Sequence, residues 1–208
     1  MKLYNGFSPN GMRVDTFLKE KGIEIDVQPV DVLAGETQTP AFLALNSLGE
    51  IPVLQLDDGS VVTETMAICR YLEALYPESP LLGEGALAQA RIEMWNRRIE
   101  QRIFNTIGEV GRHEIAFFKS RGQEPAIATF KRDEFAKNLA WLNGELSDGR
   151  TYVVNDEFSV VDITGMATAL LMMLTGYQVS DELEHVHRWL AALRQRPSFP
   201  QMPASIPA

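Results

Sequence analysis

The sequence predicts two modules: a small α/β unit over residues 1–78 and an all-helical unit over residues 86–208. Three observations point there. The first part alternates short strand-like runs with helical ones. The segment Pro77 to Gly85, with two prolines and two glycines, reads as a linker. Beyond it, long stretches carry apolar residues at helical spacing.

Lys2 to Tyr4 is a short strand candidate. Gly11 to Lys21 reads as a helix, with Val14, Phe17 and Leu18 at i, i+3 and i+4, and Gly22 as its stop. Ile23 to Val30 alternates as a strand does. Pro40 to Leu45 is a short helix opened by proline near its first turn. Ile51 to Leu56 and Val61-Val62 form a hairpin around Asp58-Gly59. Thr65 to Tyr76 is a helix with Ile68, Leu72 and Leu75 on one face. Strand, helix, strand, then hairpin and helix is an order of thioredoxin type.

In the second module Leu87 to Lys119 contains no proline, and Ile92, Trp95, Ile99, Ile103, Ile107 and Val110 recur at helical spacing. One long helix is expected, bent at Gly108 or Gly111. Ala126 to Leu146 is the next, with Phe130, Phe135, Leu139 and Leu142 along it. A third starts at Ser159, where Ser159-Val160-Val161-Asp162 fits a capping box and Phe158 with Ile163 a hydrophobic staple. Asp181 to Arg196 is the fourth, stopped by Pro197.

The chain has 208 residues and a net charge of -9, which argues against non-specific nucleic-acid binding. The longest mainly apolar stretch, Ile163 to Leu174, is too short to span a bilayer. The N-terminus lacks an apolar signal core. A single cysteine, Cys69, excludes an intrachain disulfide and a C-x-x-C redox motif. The expected setting is reducing and cytoplasmic, with neither nucleic acid nor membrane as a partner. Cys69 reads as a small core residue. His185 and His187 diverge on a helix, no zinc-type spacing appears, and no metal is expected. Met166, Met172 and Met173 read as core or cleft lining.

Four segments in order carry a resemblance that covers essentially the whole chain. Ser8-Pro9-Asn10-Gly11-Met12-Arg13-Val14 is similar to the serine-type active-site loop of the cytosolic glutathione transferases. Ile51-Pro52-Val53-Leu54 resembles their cis-proline segment. Glu64-Thr65-Met66-Ala67-Ile68 resembles their Glu-Ser-x-Ala-Ile motif, with threonine for serine. Phe158-Ser159-Val160-Val161-Asp162-Ile163 resembles the capping motif of their C-terminal domain. Asn5 to Val14 also resembles a bacterial branch in which a hydroxyl residue, proline, asparagine and glycine run together, and which includes glutathione-dependent disulfide reductases. The resemblance implies a thioredoxin-like glutathione-binding domain, a helical domain lining the second-substrate site, glutathione as co-substrate and a homodimer active in detoxification.

The chemistry fits those residues. A free thiol has a pKa of about 8.5 and reacts as the thiolate, and a hydrogen bond donated to the charged form lowers that pKa. Ser8, just before a helix start, is the candidate donor, helped by the helix dipole. Asn10 is the alternative, and a plain helix cap is the competing assignment for both. A cis Ile51–Pro52 bond would turn the Ile51 backbone outward to pair with the cysteinyl backbone of glutathione; an ordinary trans proline at a strand start competes. Glu64 suits the γ-glutamyl ammonium, and Thr65 with the helix N-terminus suits its carboxylate; N-terminal helix chemistry alone is the alternative.

One departure stands out. Relatives often hold the glycyl carboxylate with a basic residue near the second helix or with Lys or Gln before Ile-Pro. Here Asp31 to Glu50 has no basic residue, Glu50 adjoins Ile51, and Gln38 is the nearest polar donor. On the long helix Arg91, Trp95, Arg98, Arg102 and His113 fall roughly on one face. Arg98, Arg102 and His113, with Phe7 beside Ser8, are the second-substrate candidates; a solvated or interface stripe competes. The reading is a glutathione transferase in which Ser8 activates the thiolate for attack on an electrophile. The alternatives are a glutathione-dependent disulfide reductase and a non-catalytic ligand- or protein-binding member of the fold.

Overall fold

The computed structural model describes residues 1–200. The chain divides into two compact units, Met1–Pro80 and a second from Leu81 onward.

In the first unit β1 (Lys2–Asn5) leads into α1 (Pro9–Lys21), and β2 (Asp26–Pro29) comes next. A single 3-10 turn at Glu36–Gln38 precedes α2 (Pro40–Leu45). Then come β3 (Val53–Gln55), β4 (Val61–Val62) and α3 (Thr65–Leu75). The sheet order is β2-β1-β3-β4. β1 runs parallel to β2 and antiparallel to β3, and β3 is antiparallel to β4. This is the thioredoxin-like βαβαββα arrangement that the element order predicts.

Helix α1 stops where its sequence says and starts two residues before the expected Gly11. Ser8 caps it and Pro9 occupies its first turn, where the missing N–H costs nothing. Gly22 ends it at φ 62, a left-handed conformation that glycine adopts without a Cβ clash. The Ile23 N–H then closes back onto the Leu18 carbonyl at 2.9 Å. Val14, Phe17 and Leu18 bury the inner face, in a unit whose core also holds Leu3, Leu54, Ile68 and Leu72. Lys21 is buried to its tip. Its ammonium donates to Glu73 at 2.7 Å and to the carbonyls of Glu78 and Ser79 at 2.8 and 3.2 Å. All three of its protons are used, and they tie the segment after α3 to the end of α1.

β2 is shorter than the Ile23–Val30 alternation suggests, because only the four residues from Asp26 pair with β1. It is an edge strand, and all four of its residues are exposed. Leu75, expected on the inner face of α3, is 48% exposed at the helix end.

The second unit opens with α4 (Gly85–Ile99), continues through one π-type turn at Glu100–Phe104, and resumes as α5 (Asn105–Glu114). The single helix expected from Leu87 to Lys119 is thus interrupted, but not at a glycine. The Asn105 N–H reaches back five residues to the Glu100 carbonyl, which inserts one extra residue into the ladder. Gly108 and Gly111 lie inside regular α5. The chain leaves α5 at Ile115 and forms a 3-10 turn over Ala116–Arg121.

Three helices complete the unit: α6 (Pro125–Glu145), α7 (Val160–Leu174) and α8 (Glu184–Arg194). Phe135, Leu139 and Leu142 of α6 are buried, whereas Phe130 is 66% exposed. Every residue of α7 from Val160 to Met172 is buried, as expected of a helix apolar all round. Its capping box is present: Ser159 Oγ accepts from the Val161 N–H, and the Asp162 carboxylate accepts from the Ser159 N–H at 3.1 Å. The same carboxylate takes the indole N–H of Trp189 at 2.9 Å and the Val153 N–H at 3.2 Å. Gly165 lets α8 close in, since a Cβ there would run into the Trp189 ring. No helix among the described residues is long and apolar enough to cross a membrane.

Candidate active site

The loop after β1 delivers Ser8 in an extended conformation, φ -163 and ψ 156. Its Oγ accepts the Gly11 N–H at 2.9 Å, and its carbonyl accepts the Met12 N–H at 2.9 Å. Ser8 is therefore the helix cap, the competing assignment from the sequence. A hydroxyl has two acceptor positions and one donor, however, so capping leaves the O–H hydrogen free to point outward. Phe7 beside it is 41% exposed, and Asn10 is exposed in the first turn of α1.

Asn5 sets this loop from below, a role that sequence reasoning missed. It is 3% exposed, and its Nδ2 donates to the Gly11 carbonyl at 3.1 Å and to Asp15 Oδ1 at 2.8 Å. Burial raises the Asp15 carboxyl above its ordinary range, against the pull of the Asn5 hydrogen bond and the Lys19 charge. Gly11 is the point of closest approach. A Cβ there would lie 2.5 Å from the Gly6 carbonyl oxygen and 3.0 Å from Ser8 Oγ, and would also strike Asn5 Oδ1. Gly11→Ala is expected to destabilise the protein by about 2 kcal/mol and to lower turnover at least as much as it lowers stability. Thermal unfolding and turnover measured together check this; an unchanged melting temperature would contradict it.

The Ile51–Pro52 bond is cis, as the motif predicts. Ile51 and Pro52 are buried beside Val53, and Ile51, Val53, Val30 and Phe42 form one core cluster. The approach to Ile51 is held by two clamps. Asn46 Nδ2 donates to the Glu50 carbonyl at 2.8 Å, while its Oδ1 accepts the Leu48 N–H. Gln38 lies over Gly49, which has φ 62, and donates to the Gly49 carbonyl and to Thr37 Oγ1, each at 3.3 Å. Gln38, expected to reach a ligand, spends its amide hydrogens on this loop. Asn46 carries no motif signal and was not anticipated. The Glu50 side chain is exposed.

Glu64 is the cap residue of α3, at φ 67 and ψ 121, a sparsely populated backbone region for a residue with a Cβ. Its carbonyl accepts the Ile68 N–H at 3.0 Å, and its side chain makes no cap hydrogen bond. Thr65 opens α3 and is 7% exposed. Strain of this kind concentrates at functional positions. Ser8, Asn10, Gln38, Glu50, Ile51, Pro52, Glu64 and Thr65 all belong to the first unit.

The second-substrate candidates in the helical unit do not form one face. Trp95 of α4 stacks on Trp141 of α6, with ring centroids 6.1 Å apart. The Arg98 guanidinium sits 5.0 Å over Trp95, and that of Arg102 sits 5.6 Å over Trp141. His113 is elsewhere: its Nδ1 accepts the Glu124 N–H at 3.0 Å, and Glu109 lies 3.8 Å from its Nε2. The stripe from Arg91 to His113 assumed an uninterrupted helix, and the π-type turn rotates α5 relative to α4. Cys69 is buried, and burial pushes its thiol up to about 12, so it is not a nucleophile at neutral pH. Among the described residues no group of three or more His, Cys, Asp or Glu side chains could hold a metal.

Residues 7–75 match the family model for the glutathione S-transferase N-terminal domain, and residues 113–197 match that for its C-terminal domain. Glutathione S-transferase 3 of Zea mays is 32% identical over 216 residues, covering 100% of this chain and 95% of the relative. Glutathione S-transferase 2 of Saccharomyces cerevisiae is 30% identical over 204 residues, covering 93% and 85%. The crystal structure of a glutathione S-transferase domain-containing protein of Marinobacter aquaeolei superposes with a TM-score of 0.89 at 30% identity, covering 96% of this chain and 100% of that one. The chain belongs to the cytosolic glutathione S-transferase family, an enzyme family whose co-substrate is glutathione.

Proposed function

We propose that the protein joins glutathione, through its sulfur, to electrophilic small molecules, with Ser8 as the residue that stabilises the thiolate. The observation that carries this is the Ser8 cap: Oγ is filled by the Gly11 N–H at 2.9 Å, which orients the hydroxyl and leaves its hydrogen to donate. That hydrogen and the positive end of α1 favour the charged form of a nearby sulfur. The thiol proton leaves to solvent. The sulfur then forms a bond to an electrophilic carbon, and the leaving group departs with its electron pair.

Ile51 supports the positioning part of this reading. No hydrogen bond among the described residues uses its N–H or C=O, which suits pairing with the cysteinyl backbone as a short added strand. Glu64 and Thr65 suit the two charges of the γ-glutamyl end, Glu64 the ammonium and the start of α3 the carboxylate. Glutathione binding is assigned to residues 1–78 and contacts to the electrophile to residues 86–208, with Arg98 and Arg102 as candidates there. The active form is a homodimer, and a single species of monomer mass in solution would contradict that. Disulfide exchange would use the same thiolate and needs no protein cysteine, but the names of the similar transferases favour conjugation.

The test is to titrate the protein-bound glutathione thiol by its thiolate absorbance. It is expected to ionise about one pH unit or more below the free thiol. A bound thiol that titrates at the free value would overturn the assignment.

A further inference from the structure

If Ile51, Glu64 and Thr65 hold glutathione as proposed above, the tripeptide has a direction. β3 and β4 pair Leu54 with Val62, so the chain from Thr63 to Thr65 flanks Pro52 on one side. The chain entering Ile51, Gly49 and Glu50 with the Gln38 amide packed on Gly49, forms the second flank. With the γ-glutamyl end at Glu64 and Thr65, the glycyl end meets the second flank.

That flank is acidic and supplies no cation of its own. Gly22 to Cys69 contains eight Asp or Glu and no Lys, Arg or His. Both hydrogens of the Gln38 amide are spent, on the Gly49 carbonyl and on Thr37 Oγ1. The Gly49 carbonyl, which only accepts, fixes which end of that amide faces inward and leaves Oε1 outermost. The Thr39 hydroxyl donates to the Glu36 carbonyl at 2.9 Å. Asn46 donates to the Glu50 carbonyl, which pins the residue carrying the exposed carboxylate next to Ile51. Asp31 gives its backbone N–H to the Glu36 carboxylate at 2.7 Å. The Glu50 carboxylate is exposed there beside Gln38 Oε1, and no cationic side chain of residues 22–69 balances it.

A free glycyl carboxylate brought there meets the like charge of Glu50 with no cation of residues 22–69 to offset it, which disfavours it against a neutral or cationic end. A carboxamide N–H or an ammonium would find partners in both groups. We propose that this subsite selects a glutathione whose glycyl carboxyl is blocked as an amide, and prefers an amide arm that ends in an amine. The neutral amide removes the repulsion and donates to Gln38 Oε1. The terminal ammonium pairs with Glu50.

The experiment compares three thiols against one chlorodinitrobenzene electrophile: glutathione, its glycyl ethylamide, and its glycyl mono-amide with a short diamine. The expected order of kcat/KM is diamine amide, then ethylamide, then glutathione. About tenfold should separate the first from the last, carried mainly by KM and reduced by salt. In Glu50→Lys, an exchange at an exposed position, the order should reverse. A wild-type kcat/KM for glutathione equal to or above that of the diamine amide overturns the selectivity and leaves the glutathione-site reading standing. Failure of all three thiols to bind overturns both.

Discussion

Replacing Ser8 with alanine is expected to lower kcat/KM about a hundredfold or more while glutathione still binds. Removing one preorganised donor to a developing or stabilised anion costs on that scale. The Ile51 backbone and the start of α3, which hold the peptide in the proposed site, are untouched by the change, so KM for glutathione should move little. The pH profile carries the diagnosis. Without the donated hydrogen bond the bound thiol ionises at higher pH, so the loss is greatest near neutrality and shrinks as pH rises through the thiol pKa. A cap is lost too, because Oγ accepts the Gly11 N–H, and this costs about 1 kcal/mol of stability. Ser8→Thr keeps both functions and should recover most of the activity. Asn10→Ala should fall by less than tenfold, since Asn10 is exposed and makes no part of the cap. If Asn10→Ala proves the more damaging change, the thiolate donor is Asn10.

The second large effect lies in the helical unit. Asp162 is fully buried and gathers the Trp189 indole, the backbone N–H groups of Val153 and Ser159, and the Ser159 hydroxyl. Asp162→Ala leaves these donors without their acceptor and opens a small void, and should cost about 4 kcal/mol. Asp162→Asn should rescue little, because its NH2 would face donors. Burial drives the carboxyl up to about 6, with the hydrogen bonds from Trp189, Val153 and Ser159 pulling the other way. The group's folded pKa therefore lies above its unfolded value of 3.8. Between those values the folded state holds more protons, so its contribution to stability grows as pH falls through 6 and is complete below 3.8. The difference in unfolding free energy between wild type and Asp162→Ala should be larger at mildly acid pH than at neutral pH. Denaturant unfolding at both pH values measures it, and a gap that narrows on acidification would contradict the shift.

Which parts of this were legible depended on the range of the interactions. Gly22 and the Ser159–Asp162 box mark helix ends because capping is satisfied within four residues. The cis-proline segment and the Glu64-Thr65 pair were legible as motifs. Phe130 was misplaced because it precedes Phe135 by five residues, which turns it about 140° away from the stripe of Leu139 and Leu142. The break at Glu100–Phe104 left no mark, since a π-type turn is chosen by what the helix packs against and its residues are ordinary helix formers.

The amino-acid sequence alone determined the two-module architecture, the family, and the position of Ser8 at a helix start, because hydrophobic period and local capping need only neighbouring residues. It also determined that no cation lies between Lys21 and Arg70. The tertiary structure alone decided that Asn5 clamps Gly11, that Asn46 and Gln38 hold the loop before Ile51, that Arg98 and Arg102 stack on a tryptophan pair, and that His113 stands apart from them. Each of those facts is a side chain finding a backbone carbonyl, an N–H or a ring. Which partner it meets depends on the course of a loop or the rotation of a helix, and packing sets both.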